Sequence, residues 1–421
     1  MKVNGTNETS VDGKDEKFFT TPLAIIFVTV FIDLIGFGMV IPILPYYANT
    51  EPFNATPFQI GILVAVYSLM QFFFSPILGR LSDKYGRRPI LFISILGSAI
   101  GYFVIGFAET LFLVFLGRII GGITGGNIST AQAYIADITT KENRAKGMGL
   151  FGAAFGIGFI LGPAIAGVLS KYGVHVPFYF AAALSLANAI ALYFILPESL
   201  KIKVGDKLPL RKNRFVEMIE SLGEKEFGIF NLVYFLLVTA FSIMTYAFVL
   251  YTAYRFGYDP EHNGYLFAYI GVIAIVTQGF LFGRLVKKFG ESALIAVGCL
   301  FMVVSLFAVP LVGPQSGGVA ALLFGMAVLS IGNSLASPAL TSLASKGADE
   351  SDQGRTMGIL QSGASLARVV GPLIGGILLN NAVNGMDDTT ILRTFWTASA
   401  IMFFAFLVAL YSSRLNRSLN I

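Results

Sequence analysis

Long apolar runs separated by short polar stretches recur along the whole 421-residue chain. A helix that crosses a bilayer needs about 20 mostly apolar residues, and twelve runs meet that requirement. The sequence therefore predicts an all-α membrane protein with twelve transmembrane helices, numbered here as segments 1 to 12. The segments lie near residues 22–47, 58–79, 90–108, 111–136, 147–169, 177–196, 227–251, 263–283, 292–312, 319–342, 355–379 and 391–411.

The basic residues fall almost entirely on one side of these segments. Of the 29 Lys and Arg residues, 24 lie in the tails and loops of one face, which we call the basic face. Only Lys171, Arg255 and Arg393 lie in loops of the opposite face. Cytoplasmic loops are enriched in Lys and Arg, so both termini are expected in the cytoplasm, and the expected location is a bacterial inner membrane. The net charge of +5 then reflects topology, and we expect no nucleic-acid partner.

The composition supports a membrane protein and argues against a metal or cofactor site. Hydrophobic residues make up 55% of the chain and charged residues 13%, whereas soluble domains carry about 25% charged residues. The one cysteine, Cys299, excludes an intrachain disulfide and a cysteine-based metal site. His175 and His262 are isolated, and no phosphate loop or nucleophile–His–acid set is recognisable. We therefore expect a transporter without cofactors rather than an enzyme.

A polar stretch divides the chain into two sets of six segments. The expected divisions are a cytoplasmic tail at 1–20, a six-helix bundle at 21–196, a cytoplasmic linker at 197–226, a second six-helix bundle at 227–412 and a tail at 413–421.

The two sets also share sequence, which indicates a duplicated six-helix unit. "GRLSDKYGRR" from Gly79 is similar to "GRLVKKFGES" from Gly283, and "MGLFG…GPAIAG" from Met148 is similar to "MGILQ…GPLIGG" from Met357. Six is an even number, so the copies have one orientation and are related by a pseudo-two-fold axis along the membrane normal. Transporters built from such halves bind cargo between them near the midplane, and rocking of the halves exposes the site to each side in turn.

Asp33 is the most unusual residue of segment 1, which reads "FIDLIGFGMVIPILP" around it. It lies about 11 residues, or roughly 16 Å, into the segment, where an ionised Asp costs about 2.5–3.5 kcal/mol. The side chain is therefore protonated, paired with a cation, or facing a wet cavity. Removal from water disfavours the charged form of a carboxyl group, so Asp33 is a candidate proton carrier. Arg118, or a cationic substrate, would favour proton release; the alternative is a purely structural Asp33–Arg118 brace.

Further polar residues inside the segments are candidates for a substrate cavity. Arg368 in segment 11 either binds an anionic group of the substrate or braces helices through backbone carbonyls. The aromatic residues, 14% of the chain, could form an apolar wall for a hydrophobic compound, although most of them are expected in the core or against lipid. The uncharged candidates are Gln71, Asn127, Gln132, Gln278, Asn333 and Gln361.

The loop between segments 2 and 3, "GRLSDKYGRRPIL" at 79–91, resembles the signature loop of the major facilitator superfamily. The matching positions are Gly79, Leu81, Asp83, Gly86, Arg87, Arg88 and Leu91. The resemblance implies that Asp83 lies against the N-terminus of helix 11 and that Arg87 pairs with Asp137. Together these contacts would latch the two halves in the outward-open state. The simpler alternative is that the cations of the loop only mark topology.

Two more motifs resemble the twelve-helix drug:proton antiporter branch of this family. "LGRIIGGITGG" at 116–126 resembles the helix-4 motif with its buried arginine, Arg118. "GAAFGIGFILGPAIAG" at 152–167 resembles the helix-5 motif of antiporters, and a proline inside a helix removes a hydrogen-bond donor and favours a bend. The positions of the antiporter motif are Gly152, Gly156, Gly158, Gly162, Pro163 and Gly167.

The resemblance implies a monomeric exporter of small amphipathic compounds in exchange for protons, close to tetracycline and multidrug exporters. In those exporters the segment-1 acid, here Asp33, is essential for transport. The acid of helix 3 and the histidine of helix 8 that tetracycline exporters carry are missing from "SILGSAIGYFVIG" and "YIGVIAIVTQG", which argues against tetracycline as the cargo. The alternative function is a facilitator or symporter of another small solute or lipid on the same fold.

Overall fold

The computed structural model describes residues 20–200, 225–346, 353–381 and 385–419, and the regular secondary structure there is helical. Besides α-helices, this part of the chain contains a π-helical turn at Thr277–Phe282 and a 3₁₀ turn at Val309–Leu311. The predicted tail at 1–20, except for Thr20, and most of the linker at 197–226 lie outside the described residues. The helices are α1 Thr21–Asn49, α2 Pro57–Tyr85, α3 Arg87–Gly106, α4 Leu111–Thr124, α5 Asn127–Ile138, α6 Lys141–Ser170, α7 Val176–Ile195, α8 Lys225–Phe256, α9 Pro260–Val276, α10 Gly283–Phe289, α11 Glu291–Ala308, α12 Gly318–Lys346, α13 Gln353–Leu379 and α14 Asp388–Leu419.

Eleven helical stretches in the described part are long and apolar enough to cross a membrane. Two of these stretches combine neighbouring helices. Helices α4 and α5 together form Leu111–Ile138, and α9 continues through α10 as Pro260–Phe289. Helix α6 has 30 residues, and its apolar part Gly156–Ser170 is shorter than the other stretches. Large apolar side chains are exposed on the outer surface, for example Phe112 and Phe194 at 72% and 77%. The chain is therefore a multi-pass membrane protein.

Local sequence sets where the helices begin and end. Thr56 and Gln59 form a reciprocal capping box at the start of α2, which satisfies two backbone N–H groups that have no partner within the helix. Gly86, between α2 and α3, has a φ of +104°, and Gly290, between α10 and α11, has a φ of +77°. Only glycine adopts such angles without strain. The two sequence-related loops, at Gly86 and Gly290, therefore both turn through a glycine with a positive φ.

Contacts between the ends of helices agree with two membrane faces. On the basic face, Glu198 contacts the start of α3 and Lys346 pairs with Glu291. On the opposite face, Tyr47 donates a hydrogen bond to Ile105 O at 3.0 Å. Each contact joins parts of the chain that the alternating topology assigns to the same face.

Helices α1–α7 pack mainly on one another, and so do α8–α14, with α2 against α13 and α6 against α9 as the main contacts between the two groups. The closest of these contacts lie towards the opposite face. A Cβ at Gly61 of α2 would lie 2.6 Å from Pro372 O of α13, and one at Gly264 of α9 would lie 2.6 Å from Pro163 O of α6. Lys171 Nζ also lies 2.8 Å from Glu261 Oε1 across the same boundary. The two groups are thus sealed together at the opposite face.

Several positions towards the basic face have no close neighbours. A Cβ at Gly279, Gly283 or Gly358 would meet no atom within 4 Å. Phe280 is 63% exposed, and Gln361, which lies two turns from Arg368 on the same side of α13, is also exposed. Among the described residues, the close approaches between the two groups therefore lie at the opposite face.

Candidate transport site

Asp33 of α1 points into the first helix group. Its Oδ2 accepts a hydrogen bond of 2.9 Å from Asn127 Nδ2, and its side chain is half-buried. Asn127 is buried and is the first residue of α5, directly after the break at Gly125 and Gly126 that ends α4. The break therefore delivers an amide donor to a carboxyl group within the membrane.

The break in the fourth spanning stretch is stabilised by a second polar candidate. Gln71 of α2 is buried, and its Nε2 donates to Gly125 O at 2.7 Å. The C-terminal carbonyls of a helix have no partner within that helix, so Gln71 satisfies one that the break has freed. Gln71 thus serves the backbone that positions Asn127.

Arg118 of α4 is buried but does not pair with Asp33. Its guanidinium lies over the Tyr67 ring, 4.3 Å from the centroid, and its Nε donates to Leu63 O at 3.4 Å. Among the described residues, no ion pair joins Arg118 to an acid. The direct Asp33–Arg118 brace, one alternative from the sequence, is absent from this structure. Arg118 instead contributes positive charge and anchors Tyr67.

Arg368 of α13 faces this region from the second helix group. Its Nε donates to Ala364 O of its own helix at 3.1 Å, and its side chain is half-buried. Tyr67 and Tyr234, one from each helix group, lie within electrostatic range of its guanidinium. No acid pairs with Arg368 in the part of the chain that the structure describes. We call Asp33, Tyr67, Arg118, Asn127 and Arg368 the central cluster.

The other uncharged candidates have weaker connections to this cluster. Gln278, in the π-helical turn, is exposed and donates to Ser334 Oγ at 3.4 Å. Gln132 and Asn333 are half-buried. The structure thus brings Asn127 to Asp33, joins Gln71 to the helix break that positions Asn127, and places Gln278 and Gln361 on exposed surface.

Aromatic rings cover one side of the cluster. The Phe37 ring lies 5.5 Å from the Tyr67 ring and 5.8 Å from the Phe159 ring, centroid to centroid. Phe37 is one turn after Asp33 on α1, and Phe159 belongs to α6. Such a surface suits an apolar or aromatic compound beside the polar group.

The antiporter motif of α6 makes close contact with α1. A Cβ at Gly158 would lie 2.8 Å from Leu34 Cβ, and a Cβ at Gly162 would lie 2.7 Å from Ile35 O. A Cβ at Gly38 would likewise lie 2.9 Å from Gly158 O. The backbones therefore approach along the part of α1 that carries Asp33, and any side chain would separate them.

The end of the same motif faces the second helix group. Gly167 meets Gly264 of α9, where a Cβ on Gly167 would lie 3.1 Å from Gly264 Cα. Pro163, inside α6, is buried between these two contacts. Gly156 is exposed and a Cβ there would meet nothing within 4 Å, and the surroundings of Gly152 lie outside the described residues. The motif therefore packs against α1 of its own helix group and against α9 of the second group.

The signature loop on the basic face is organised around Arg87. Arg87 is buried, its Nε contacts Asp137 Oδ2 at 3.0 Å, and its Nη1 contacts Asp83 Oδ1 at 2.5 Å. Nη1 also donates to Ser82 Oγ at 2.7 Å. One guanidinium thus joins the end of α2, the start of α3 and the end of α5.

Glu198 completes this loop and was missed by the sequence analysis. Its two carboxylate oxygens accept the backbone N–H groups of Arg87 and Arg88 at 2.9 and 3.1 Å, which places negative charge at the N-terminus of α3. A Cβ at Gly86 would lie 2.5 Å from Glu198 Oε2, so glycine is required for this approach. The only sequence signal was an acid after Pro197 at the end of segment 6. Gly79 has ordinary packing, with Ser129 Oγ 3.7 Å from a Cβ placed there.

Asp83 pairs with Arg87 rather than with α13 in this structure. Among the described residues no hydrogen bond or ion pair joins Asp83 to α13, and the side chains of its first three residues, 353–355, lie outside the description. The contact between Asp83 and the N-terminus of α13, which is segment 11 of the sequence analysis, therefore stays a prediction for the outward-open state.

Two residues near Arg368 were also missed from the sequence. Asn231 of α8 is buried, and its Oδ1 has no hydrogen-bond partner among the described residues; a Cβ at Gly363 would lie 3.0 Å from that oxygen. Tyr234, one turn later, is also buried. A lone Asn in an apolar run and a Tyr among 17 tyrosines gave no signal that would separate them from packing residues.

Comparisons with known proteins agree with this arrangement. A family model described as Major Facilitator Superfamily matches residues 26–351 and 316–419. The class H tetracycline resistance protein of Pasteurella multocida is 31% identical over 402 residues, covering 92% of this chain and 95% of that protein. Multidrug resistance protein 2 of Bacillus subtilis is 30% identical over 363 residues, covering 86% of this chain and 89% of that protein.

A solved structure of a bacterial homolog of the human lysosomal transporter Spinster has the same fold. It superposes with a TM-score of 0.76 at 15% identity, over 95% of this chain and 98% of that one. The family model and the two resistance proteins match nearly the whole chain. These matches confirm the resemblance to drug exporters drawn from the motifs and indicate a transporter rather than an enzyme. The chain belongs to the Major Facilitator Superfamily.

Proposed function

We propose that this transporter exports small amphipathic, drug-like compounds in exchange for protons by alternating access. The observation that carries the proposal is the environment of Asp33, a half-buried intramembrane carboxyl group whose hydrogen-bond partner is the neutral amide of Asn127. An acid in this setting is free to hold either a proton or a cationic group of a substrate. Homologues named for tetracycline and multidrug resistance support a drug-like cargo.

The proposed architecture has twelve spanning helices in two six-helix bundles, 21–196 and 227–412, related by a pseudo-two-fold axis along the membrane normal. The tails and the linker at 197–226 lie on the basic face, which we assign to the cytoplasm of a cell with the protein in its inner membrane. The uneven distribution of Lys and Arg supports this orientation. The matching glycine turns at Gly86 and Gly290 support the duplication. We propose a monomer whose partners are the substrate, protons and the lipid bilayer.

With this orientation, we infer that the described conformation is open to the cytoplasm, because the close approaches between the two groups lie at the opposite face. The proton on Asp33 would leave to the cytoplasm here, and the substrate would enter from the same side. Rocking of the bundles would then break the contacts at Gly61, Gly264 and Lys171 and close the basic face. Substrate release on the far side and reprotonation of Asp33 complete the cycle. Competition of proton and substrate for one site makes the exchange obligatory.

The signature loop would hold the two bundles together in the outward-open state, when the basic face is closed. Arg87 already holds Asp83 and Asp137 within the first bundle, so the loop is rigid before it meets α13. When the basic face closes, Asp83 would reach the N-terminus of α13, where the helix dipole favours a negative charge.

Transport into proteoliposomes tests the proposal. An imposed pH gradient should drive a lipophilic amine dye against its concentration gradient, and Asp33→Asn should abolish the uphill movement while leaving the protein folded. Glu109→Gln is the matched control, since Glu109 is an exposed acid in the loop between α3 and α4. Full uphill transport by Asp33→Asn would overturn the role of Asp33. Uphill transport that follows the proton in the same direction would favour a symporter instead.

A further inference from the structure

Among the residues that the structure describes, two opposite charges of the central cluster have no charged partner, and they lie on different helix groups. Within that part of the chain, Asp33 on α1 accepts a hydrogen bond from the amide of Asn127, and Arg368 on α13 donates to a carbonyl of its own helix. Charged side chains inside a membrane are costly and almost always pair or face a water-filled cavity. Asp33 and Arg368 are both half-buried, so a ligand between the groups can reach them.

Arg118 differs from Arg368 because its interactions are already made within the first group. Its guanidinium stacks on Tyr67, and a cation over an aromatic ring is stabilised by the ring quadrupole. Its side chain is also buried, with 5% of its surface exposed. Arg368 is therefore the cation left for a ligand.

Packing of α2 against α13 and of Tyr67 against Phe37 brings the two charges into one region. A Cβ at Gly61 of α2 would lie 2.6 Å from Pro372 O of α13; Tyr67 follows Gly61 by six residues and Arg368 precedes Pro372 by four, so on these antiparallel helices both lie at a similar depth. The Tyr67 ring also lies 5.5 Å from the ring of Phe37, one turn after Asp33 on α1. The other titratable or charged groups around Asp33 are Tyr102 on α3 and Arg118 on α4, while α5 contributes Asn127 and α6 approaches through glycines. A single small molecule beside Tyr67 is in a position to meet both an acid from one group and a cation from the other.

We propose that the site takes zwitterionic amphipathic compounds, with the cationic group bound to Asp33 and the anionic group bound to Arg368. This inference rests on the proposed function and adds the charge pattern of the substrate. A guanidinium binds a carboxylate through two parallel hydrogen bonds, and the aromatic rings of Phe37 and Tyr67 suit the apolar body between the charged ends. A ligand bound in this way bridges the two bundles.

A zwitterionic substrate and a purely anionic substrate differ in the direction in which they would move relative to the proton. A cationic group and a proton compete for the Asp33 carboxylate, which is what an exchanger requires. An anion bound only at Arg368 would gain from protonation of Asp33, because the site then carries one more positive charge. Such a cargo would travel with the proton rather than against it.

The test compares three forms of one rigid fluorescent molecule on the full-length protein in detergent. Ciprofloxacin carries an ammonium and a carboxylate at opposite ends, its ethyl ester keeps only the cation, and its N-acetyl derivative keeps only the anion. Charge-assisted hydrogen bonds contribute about 1.5–3 kcal/mol, so Arg368→Gln should weaken ciprofloxacin binding about tenfold or more and leave the ester unchanged. Asp33→Asn should weaken ciprofloxacin and the ester but not the N-acetyl form. Acidification within the pH range in which the ligand carboxylate stays ionised should weaken binding of ciprofloxacin but not of the N-acetyl form.

Arg284→Gln is the matched control, since Arg284 also donates to a carbonyl four residues earlier, at 3.2 Å, but lies outside the site. Arg368→Lys keeps the charge and should retain part of the affinity, which guards against a variant that fails to fold. Unchanged ciprofloxacin affinity in Arg368→Gln, or no binding of any of the three forms by the wild type, would overturn the zwitterion site. If the zwitterion site is overturned but a pH gradient still drives the ester uphill, the proposed exchange for protons is retained. If the three forms bind as expected but none of them moves uphill, the proposed exchange is wrong.

Discussion

Asn127 Nδ2 donates a hydrogen bond of 2.9 Å to Asp33 Oδ2, and this contact joins a broken helix to the one acid in the middle of α1. The donor stabilises the ionised form of the carboxyl group, and it adds no charge that would hold the acid permanently ionised. An arginine in its place would do so. The contact therefore leaves Asp33 able to gain or lose a proton, as the proposed exchange requires.

Replacing Asn127 with Leu should shift the pH dependence of transport. The substitution removes the donor, so the carboxylate loses a hydrogen bond worth about 1.5–3 kcal/mol in its ionised form. At 1.36 kcal/mol per pH unit, the pH of half-maximal exchange should move up by about one to two units. Asn188→Leu is the control, since Asn188 is a buried amide that bonds Thr29 O rather than Asp33. An unchanged pH profile in Asn127→Leu would show that the contact does not act on the proton.

Replacing Gly264 with Ala should hinder closure of the opposite face. The new Cβ would lie 2.6 Å from Pro163 O and 2.8 Å from Gly167 Cα, and overpacking of this kind costs about 1–3 kcal/mol. The cost falls only on the described conformation, so the protein should favour the state open at the opposite face and transport more slowly. Gly156→Ala, in the same antiporter motif but with nothing within 4 Å of the new Cβ, should transport at nearly the wild-type rate.

Transport assays with both variants decide between two descriptions of the antiporter motif. Equal loss in Gly156→Ala and Gly264→Ala would mean that the motif acts through helix flexibility rather than close contact. Loss in Gly264→Ala alone would support contact between the bundles.

The ion pair between Lys171 and Glu261 should help to hold the opposite face closed. A hydrogen bond to Glu261 raises the pKa of Lys171 above its ordinary value. A raised lysine pKa means that the stabilisation is complete below about pH 10 and is lost only as the pH rises beyond the folded-state value. Lys171 therefore stays charged from pH 5 to 9, and Lys171→Gln should weaken closure equally across that range.

Distances between spin labels measure this effect. Glu109→Cys and Gln315→Cys lie on the opposite face, one in each helix group, and both positions are exposed. The chain's own Cys299 is buried and is replaced by Ala in the background. Lys171→Gln should add longer distances to the distribution, and an unchanged distribution at all pH values would contradict the role of the pair.

Replacing Arg87 with Gln should destabilise the signature loop more than replacing Asp137 with Asn. Arg87→Gln leaves Asp83 and Asp137 without their shared cation, whereas Asp137→Asn leaves the Arg87–Asp83 pair in place. Loss of a hydrogen bond to a charged group costs about 1.5–3 kcal/mol, so thermal unfolding in detergent should show the lower midpoint for Arg87→Gln. Equal midpoints for the two variants would contradict the central place of Arg87.

Sequence patterns predicted the helices well because their determinants are local. Length and hydropathy define a spanning helix, so the segments agree with the helices to within a few residues in most cases. The largest difference is the broken fourth stretch, where α4 ends at Thr124 and α5 starts at Asn127. Gly125 and Gly126 are common in packed membrane helices, and their spacing alone does not distinguish a break from close packing.

The site was harder to predict because partners come from distant parts of the chain. Asp33 was found as a charge in an unusual place, and the resemblance to a family motif supplied Arg87 and its expected contact with Asp137. The choice of Asn127 rather than Arg118 as partner of Asp33 depends on the break in α4 and on Tyr67, which engages the arginine. Glu198 and Asn231 had no motif, and their roles follow only from the folded positions of α3 and α13.

Proton release on ligand binding tests the central claim most directly. Purified protein in a weakly buffered solution, adjusted to the pH of half-maximal exchange, is mixed with a lipophilic cation, and released protons are followed with a pH indicator. The account predicts about half a proton released per ligand bound by the wild type, because half of the Asp33 side chains carry a proton at that pH. Asp33→Asn should release none while still binding the apolar body weakly. Equal proton release from Asp33→Asn and the wild type would contradict the claim that Asp33 exchanges a proton for the substrate.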